Sequence, residues 1–134
     1  MTKNKIYVAV VDDDDSFARA IGRLLRASGF EVQTYSSGEA FLASKILPRP
    51  ECLVLDVQLG GMSGVELQRR LRELGNLTPI IFVTAHDAPA VREEATQAGC
   101  IAYLRKPVGR QALLEALEKA LHPGGEDEAV NSNR

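Results

Sequence analysis

Ile6-Tyr7-Val8-Ala9-Val10-Val11-Asp12-Asp13-Asp14-Asp15 is the stretch on which the fold turns. Its first six residues are rich in β-branched side chains and do not alternate with polar ones. That is the pattern of a strand covered on both faces. Four carboxylates follow at once. Asp14 and Asp15 suit the N-terminus of the next helix, where a side-chain oxygen can accept from a free backbone N–H. Asp12 and Asp13 are too many for one cap. Adjacent carboxylates at a strand end repel each other unless a cation lies between them, so this pair reads as a metal site. A buried strand running into surplus carboxylates points to an α/β sheet whose carboxyl edge carries chemistry.

The same grammar repeats outward along the chain. Short apolar runs recur at Cys52–Leu55, Ile80–Val83 and Ile101–Leu104. Phe30–Thr34 alternates apolar and polar residues and reads as an edge strand. Helical spacing fills the gaps. Phe17, Ile21, Leu24 and Leu25 share one face, and Gly29 closes that helix. Ser36 with Glu39 predicts a capping box before a short helix containing Phe41. Ser63 with Glu66 predicts another, before a helix with Leu67, Leu71 and Leu74 that ends at Gly75. Pro89 opens a helix carrying Val91, Ala95 and Ala98, closed by Gly99. Leu113, Leu114, Leu117 and Leu121 mark the last one. Five strands and five helices in strict alternation predict a parallel sheet with helices on both faces. Residues 1–121 form the predicted domain. Residues 122–134, with Pro, Gly-Gly and acidic residues, read as a flexible tail or the start of a linker.

At 134 residues, with 45% hydrophobic and 25% charged content, the chain fits one globular domain. A net charge of -2 argues against nucleic acid as a direct partner, which would need clustered cations. Arg19, Arg23, Arg26, Arg69, Arg70 and Arg72 read as solvated helix faces. Cys52 and Cys100 are too far apart to make a ligand or redox motif and read as small half-apolar residues opening strands. No apolar run is long enough for a membrane span or a signal sequence, so a cytoplasmic location is expected.

The polar residues at strand ends carry the functional signal. Asp12 and Asp13 end the first strand, Asp56 the third and Thr84 the fourth, while the fifth runs into Lys106-Pro107. Ligands of open α/β sheets bind at this edge. Three carboxylates and a lysine can hold Mg²⁺ with several waters retained and receive a phosphoryl group. Asp56 can be the nucleophile, Lys106 a fixed positive charge and Thr84 a hydroxyl donor. Repulsion between Asp12 and Asp13 should favour protonation when no metal is bound.

Val10-Val11-Asp12-Asp13, Leu55-Asp56-Val57 with Gly61-Met62-Ser63-Gly64, Val83-Thr84-Ala85 and Arg105-Lys106-Pro107 together resemble the receiver domain of bacterial response regulators, the CheY-like family. The resemblance covers about residues 5 to 121. It implies a flavodoxin-like, doubly wound five-stranded sheet of order 2-1-3-4-5. It further implies a phosphorelay role, in which Asp56 accepts a phosphoryl group from the phosphohistidine of a histidine kinase or phosphotransfer protein. Asp12, Asp13, Asp56 and the backbone carbonyl of Gln58 would hold Mg²⁺ or Mn²⁺. Thr84 and Tyr103 would form the switch, and Gln58 and His86 would flank the path of attacking water and set the phosphoryl lifetime. The helix from Pro89, the fifth strand and the helix from Arg110 to Leu121 would form the partner face, toward a downstream protein, an output domain or a phosphorylation-dependent homodimer. Such a domain is a signalling phosphoacceptor that takes part in its own phosphotransfer and dephosphorylation, not an enzyme with an external substrate.

One departure stands out. The family commonly has proline four residues after the phosphoacceptor; here it is Gly60, which with Gly61 should loosen the loop. Three rival readings use overlapping features. A metal-dependent phosphatase would need an acidic residue at position 58, which is Gln. A flavin binder on the same fold would place phosphate where the four aspartates stand. A degenerate receiver would lack site residues that are all present here.

Overall fold

The computed structural model describes residues 5–44 and 49–122. Its elements alternate as β1 (Tyr7–Val11), α1 (Asp15–Ala27), β2 (Glu31–Tyr35), α2 (Gly38–Ala43), β3 (Cys52–Asp56), α3 (Gly64–Glu73), β4 (Ile80–Thr84), α4 (Pro89–Gln97), β5 (Ala102–Arg105) and α5 (Arg110–Leu121). All strand pairs are parallel, in the order β2-β1-β3-β4-β5. This is the expected doubly wound, flavodoxin-like sheet. The predicted tail lies outside the described residues, apart from His122.

Three of the apolar runs form central strands because both sheet faces are covered there, whereas the run at Ile101–Leu104 leads into β5, an edge strand that is only half-buried. Every residue of β1, β3 and β4 is buried. Alternate side chains enter opposite layers. Val8, Val10, Val54 and Ile81 meet Ile21 and Leu25 of α1 and Leu113 and Leu117 of α5. Ala9, Leu55 and Phe82 meet Leu67 and Leu71 of α3 and Ala95 of α4. Burying each large side chain contributes about 1.5–3 kcal/mol. By that measure α4 is the least anchored of the long helices, since Ala95 is its one fully buried residue. Its ion pairs are exposed and add little: Arg69 with Glu94 at 2.8 Å across to α3, and Arg92 with Asp87 at 3.2 Å.

Several helix ends follow the sequence. Asp14 caps α1, accepting from the Phe17 N–H at 3.2 Å, while Asp15 is the first helical residue. Ser63 and Glu66 form the predicted box. Gly29, Gly75 and Gly99 adopt φ of 101°, 80° and 92° just beyond α1, α3 and α4, where a Cβ would be strained. Two readings need correction. The cap of α2 is Ser37, not Ser36; its hydroxyl accepts from the Ala40 N–H at 3.0 Å. Glu39 therefore sits one position too early to complete a box, and its carboxylate reaches across to accept from the Met62 N–H at 3.1 Å. The arginines are also more than solvated faces. Arg26 donates to the Val32 carbonyl, and Arg72 to the carbonyls of Asn76 and Thr78, fixing the turn that leads into β4.

Candidate phosphoacceptor and metal site

Strand register assembles the site. Val11 is level with Leu55, so Asp12 and Asp56 leave neighbouring strands at the same height, beside the point where strand order reverses. Asp56 is level with Val83, and Thr84 with Arg105, which places Lys106 one step beyond Thr84. The Lys106 N–H donates to the Thr84 carbonyl at 2.8 Å, and the Lys106–Pro107 peptide bond is cis. The predicted residues Asp12, Asp13, Asp56, Thr84 and Lys106 thus meet at one edge. A cavity of ≈ 420 Å³ opens beside them, lined by Asp13, Asp56 and Lys106 together with Gln58, Ala85 and His86, while Asp12 and Thr84 are buried. Larger grooves of ≈ 650 Å³ beside α5 and ≈ 660 Å³ between α3 and α4 mix apolar and polar walls, and the Asp, Glu, Lys and Arg residues in them are all exposed.

Asp12 and Asp56 are buried, whereas Asp13 is exposed. The Asp56 carboxylate is held from both sides: Oδ1 accepts from the Gln58 N–H at 2.9 Å, and Oδ2 accepts from Lys106 Nζ at 3.3 Å. Asp12 Oδ1 accepts from the Asp14 N–H at 2.8 Å. Asp12 Oδ2 lies 2.9 Å from Lys106 Nζ but off the hydrogen-bonding direction, so this buried oxygen has a charge contact and no aligned donor. Ligand oxygens of Asp12, Asp13 and Asp56 come within 4.8 Å of one another. A hard divalent cation suits this set: three carboxylates at one point, one of them with a buried oxygen whose sole close partner among the described residues is the Lys106 ammonium. The Gln58 side chain points to solvent and its carbonyl lies in the same loop.

The electrostatics refine the sequence expectation. Burial is the main cause that pushes the Asp12 carboxyl up to about 6; Lys106 and the Asp14 amide pull it down, and the charge of Asp56 adds a lesser upward push. Desolvation, more than repulsion between neighbours, favours the protonated form. Burial also works against the charge on Lys106, but Asp12 and Asp56 outweigh it and hold the ammonium above the ordinary lysine value. The lysine thus partners the carboxylates in the metal-free site. It also stacks on an aromatic ring, with Nζ 4.2 Å from the centroid of Phe17. Sequence spacing had assigned Phe17 only to the helix core.

The loop after β3 is tied down despite its glycines. The Gly60 N–H donates to Asp13 Oδ2 at 3.3 Å, and the Gly64 N–H to the Val57 carbonyl at 2.9 Å. Gly61 has φ 75°. At Gly64 a Cβ would strike the carbonyl oxygen of Asp56, so only glycine lets α3 begin this close to the end of β3.

Thr84 and Tyr103, the residues expected to form a switch, both have close neighbours. The Thr84 hydroxyl donates to the His86 carbonyl at 2.8 Å and accepts from the His86 N–H at 3.0 Å. The His86 side chain is exposed at the cavity. Tyr103 packs near Phe82, with centroids 6.3 Å apart, and Arg92 lies 5.3 Å from its ring centroid. The Tyr103 hydroxyl is buried with no hydrogen-bond partner, and burial raises its pKa.

Comparison with known proteins agrees with this geometry. The response regulator receiver domain profile matches residues 8–118. Response regulator protein TmoT of Ectopseudomonas mendocina is 37% identical over 121 residues, 90% of this chain and 55% of that protein. Transcriptional regulatory protein FixJ of Rhizobium meliloti is 36% identical over 113 residues, 84% of this chain and 55% of that protein. A response regulator receiver protein structure from Burkholderia phymatum is 48% identical, with a TM-score of 0.75 over 87% of this chain and 95% of its own. The chain spans about half the length of the curated relatives it matches. A five-stranded sheet of this order, carrying these carboxylates on its carboxyl edge and matching the receiver profile over most of its length, belongs to the response regulator receiver domain family of two-component signalling.

Proposed function

We propose that Asp56 is the phosphoacceptor, taking a phosphoryl group from the phosphohistidine of a sensor histidine kinase or phosphotransfer protein. The observation that carries this reading is the double restraint of a buried carboxylate at a charged cavity: Gln58 N–H fixes Oδ1 and Lys106 fixes Oδ2. An Asp56 oxygen attacks phosphorus in line, the P–N bond breaks, and the imidazole leaves with a proton. Asp12, Asp13, Asp56 and the Gln58 carbonyl would hold Mg²⁺ or Mn²⁺, which supplies charge neutralisation for the phosphoryl oxygens. Lys106 turns its ammonium from Asp56 Oδ2 toward the new phosphoryl oxygens, and Thr84 can donate its hydroxyl to one of them. Gln58 and His86 both line the cavity and would meet water approaching the acyl phosphate. The domain then acts in its own dephosphorylation.

Output follows a shift between two pre-existing states. Drawing the Thr84 hydroxyl toward the phosphoryl group releases both of its bonds to His86. This perturbs the start of α4, the weakly anchored helix, and the Tyr103 ring beside it. The face formed by α4, β5 and α5 is the proposed partner surface, toward a downstream protein, an output domain or a second copy of the chain. Among the described residues no helix is long and apolar enough to cross a membrane; the two-component reading carries a cytoplasmic location with it.

The test is phosphotransfer from a phosphohistidine donor to the parent and to Asp56→Asn, with and without Mg²⁺. The parent should label only with the metal, and the variant should not label. Undiminished labelling of Asp56→Asn would overturn the assignment.

A further inference from the structure

We propose that Phe17 is a positioning residue for Lys106, its ring face holding the ammonium over the site through the phosphorylation cycle. The inference rests on the phosphoacceptor reading of Asp56 and deepens it.

Lysine is a poor choice for a fixed charge, because its ammonium sits on a flexible four-carbon stem. Something must hold it. Three contacts do so here: Asp12 Oδ2 at 2.9 Å, Asp56 Oδ2 at 3.3 Å and the Phe17 ring at 4.2 Å to its centroid. The side chain of Lys106 is only 13% exposed, so the ring acts on a largely desolvated cation, where the attraction of an aromatic face is strongest. The ring is itself fixed. Phe17 lies in the first turn of α1, its N–H is held by the Asp14 cap, and its side chain packs on the core shared by α1 and α5.

The three contacts differ in what the reaction does to them. Asp56 gives up an oxygen to phosphorus, and Asp12 is called upon as a metal ligand. Both carboxylates change their claim on Nζ as the site turns over. The aromatic face carries no group that reacts or titrates, so its attraction is the constant one. It keeps the ammonium beside Asp56 while the carboxylates exchange partners.

A leucine at position 17 would fill much of the same apolar space without the negative ring face, whereas a tyrosine would keep that face. The experiment uses the full chain. In the metal-free protein, NMR of the Lys106 ε-methylene should show an upfield ring-current displacement. Phe17→Tyr should retain it and Phe17→Leu should lose it. Beryllofluoride binding with Mg²⁺ should weaken by roughly threefold to thirtyfold in Phe17→Leu, and stay near the parent in Phe17→Tyr. In a Lys106→Met background, Phe17→Leu should cause no further loss. Equal losses with and without Lys106 would show a purely structural role and overturn the proposal. An undisplaced ε-methylene in the parent would overturn it as well. Complete failure of the parent to bind beryllofluoride would refute the reading of Asp56 instead, while the ring-current comparison would still decide the role of Phe17.

Discussion

Asp12→Asn in the metal-free protein should be a gain in stability, and its size can be worked from the burial of Asp12. Its carboxyl is raised from 3.8 to about 6, chiefly by desolvation. Between those values the folded chain keeps a proton that the unfolded chain has released. Stability therefore falls as pH rises through this window, and the full loss is present above about pH 6. The gap between 3.8 and about 6 corresponds to roughly 3 kcal/mol against the ionised form. Asparagine resembles the protonated acid in shape and removes that cost. The raised value already nets the attraction of Lys106 against burial. Leaving Lys106 with Asp56 alone trims the gain further, so about 1–3 kcal/mol is expected near pH 7.5. Urea unfolding in EDTA, at about pH 5 and about pH 7.5, measures it for parent and variant. Roughly half of the gain should develop between those two conditions, and Mg²⁺ should narrow the gap by stabilising the parent more. A variant less stable than the parent near pH 7.5, or equally stabilised at both pH values, would refute the reasoning.

Gly64→Ala should destabilise the fold by roughly 1–3 kcal/mol or more, because the new methyl meets the Asp56 carbonyl; a denaturant midpoint equal to the parent's would contradict the close approach. Thr84→Ala should lose about 1–2 kcal/mol from its two bonds to His86 yet still accept phosphate, and it should fail to signal. Tyr103→Ala should likewise separate phosphorylation from partner binding; a normal response measured by pull-down of the phosphorylated form would remove Tyr103 from the switch. Substitutions at Gln58 and His86 should change the decay rate of the phosphorylated form without changing Mg²⁺ affinity, and decay rates that stay flat across such a series would reject their role.

Much of the fold was legible because its central strands are covered twice. Three of the continuous apolar runs became central strands and the alternation in β2 marked one edge, but the run at Ile101–Leu104 led into β5, the second edge, where covering on both faces had been expected. Strand order was not in the residues; it came with the family resemblance. The site carboxylates were legible because four in a row exceed what a helix cap can use. Their counter-charge was less so. Lys106 reads as a phosphoryl ligand in sequence, but its pairing with Asp12 and Asp56 depends on how β5 docks, which no local pattern encodes. Phe17 was hidden by its own periodicity: the spacing that assigns it to the core says nothing of the cation lying on its ring. The α2 cap was misjudged because Ser36 and Ser37 offer two registers. The path of the chain leaving β2 at Tyr35 selects the second and frees Glu39 to hold the β3–α3 loop.

The distance in sequence between Lys106 and its partners has a consequence for biogenesis. Asp12 and Asp56 emerge from the ribosome long before the lysine, which lies 50 residues beyond Asp56. Until β5 docks, the nascent sheet carries buried acidic ends with no internal cation to balance them. The last strand thus delivers the charge that settles the first and third. Closure of the sheet and balancing of its acidic edge are one event, so a chain still missing Lys106 lacks the ammonium that pairs with Asp12 and Asp56.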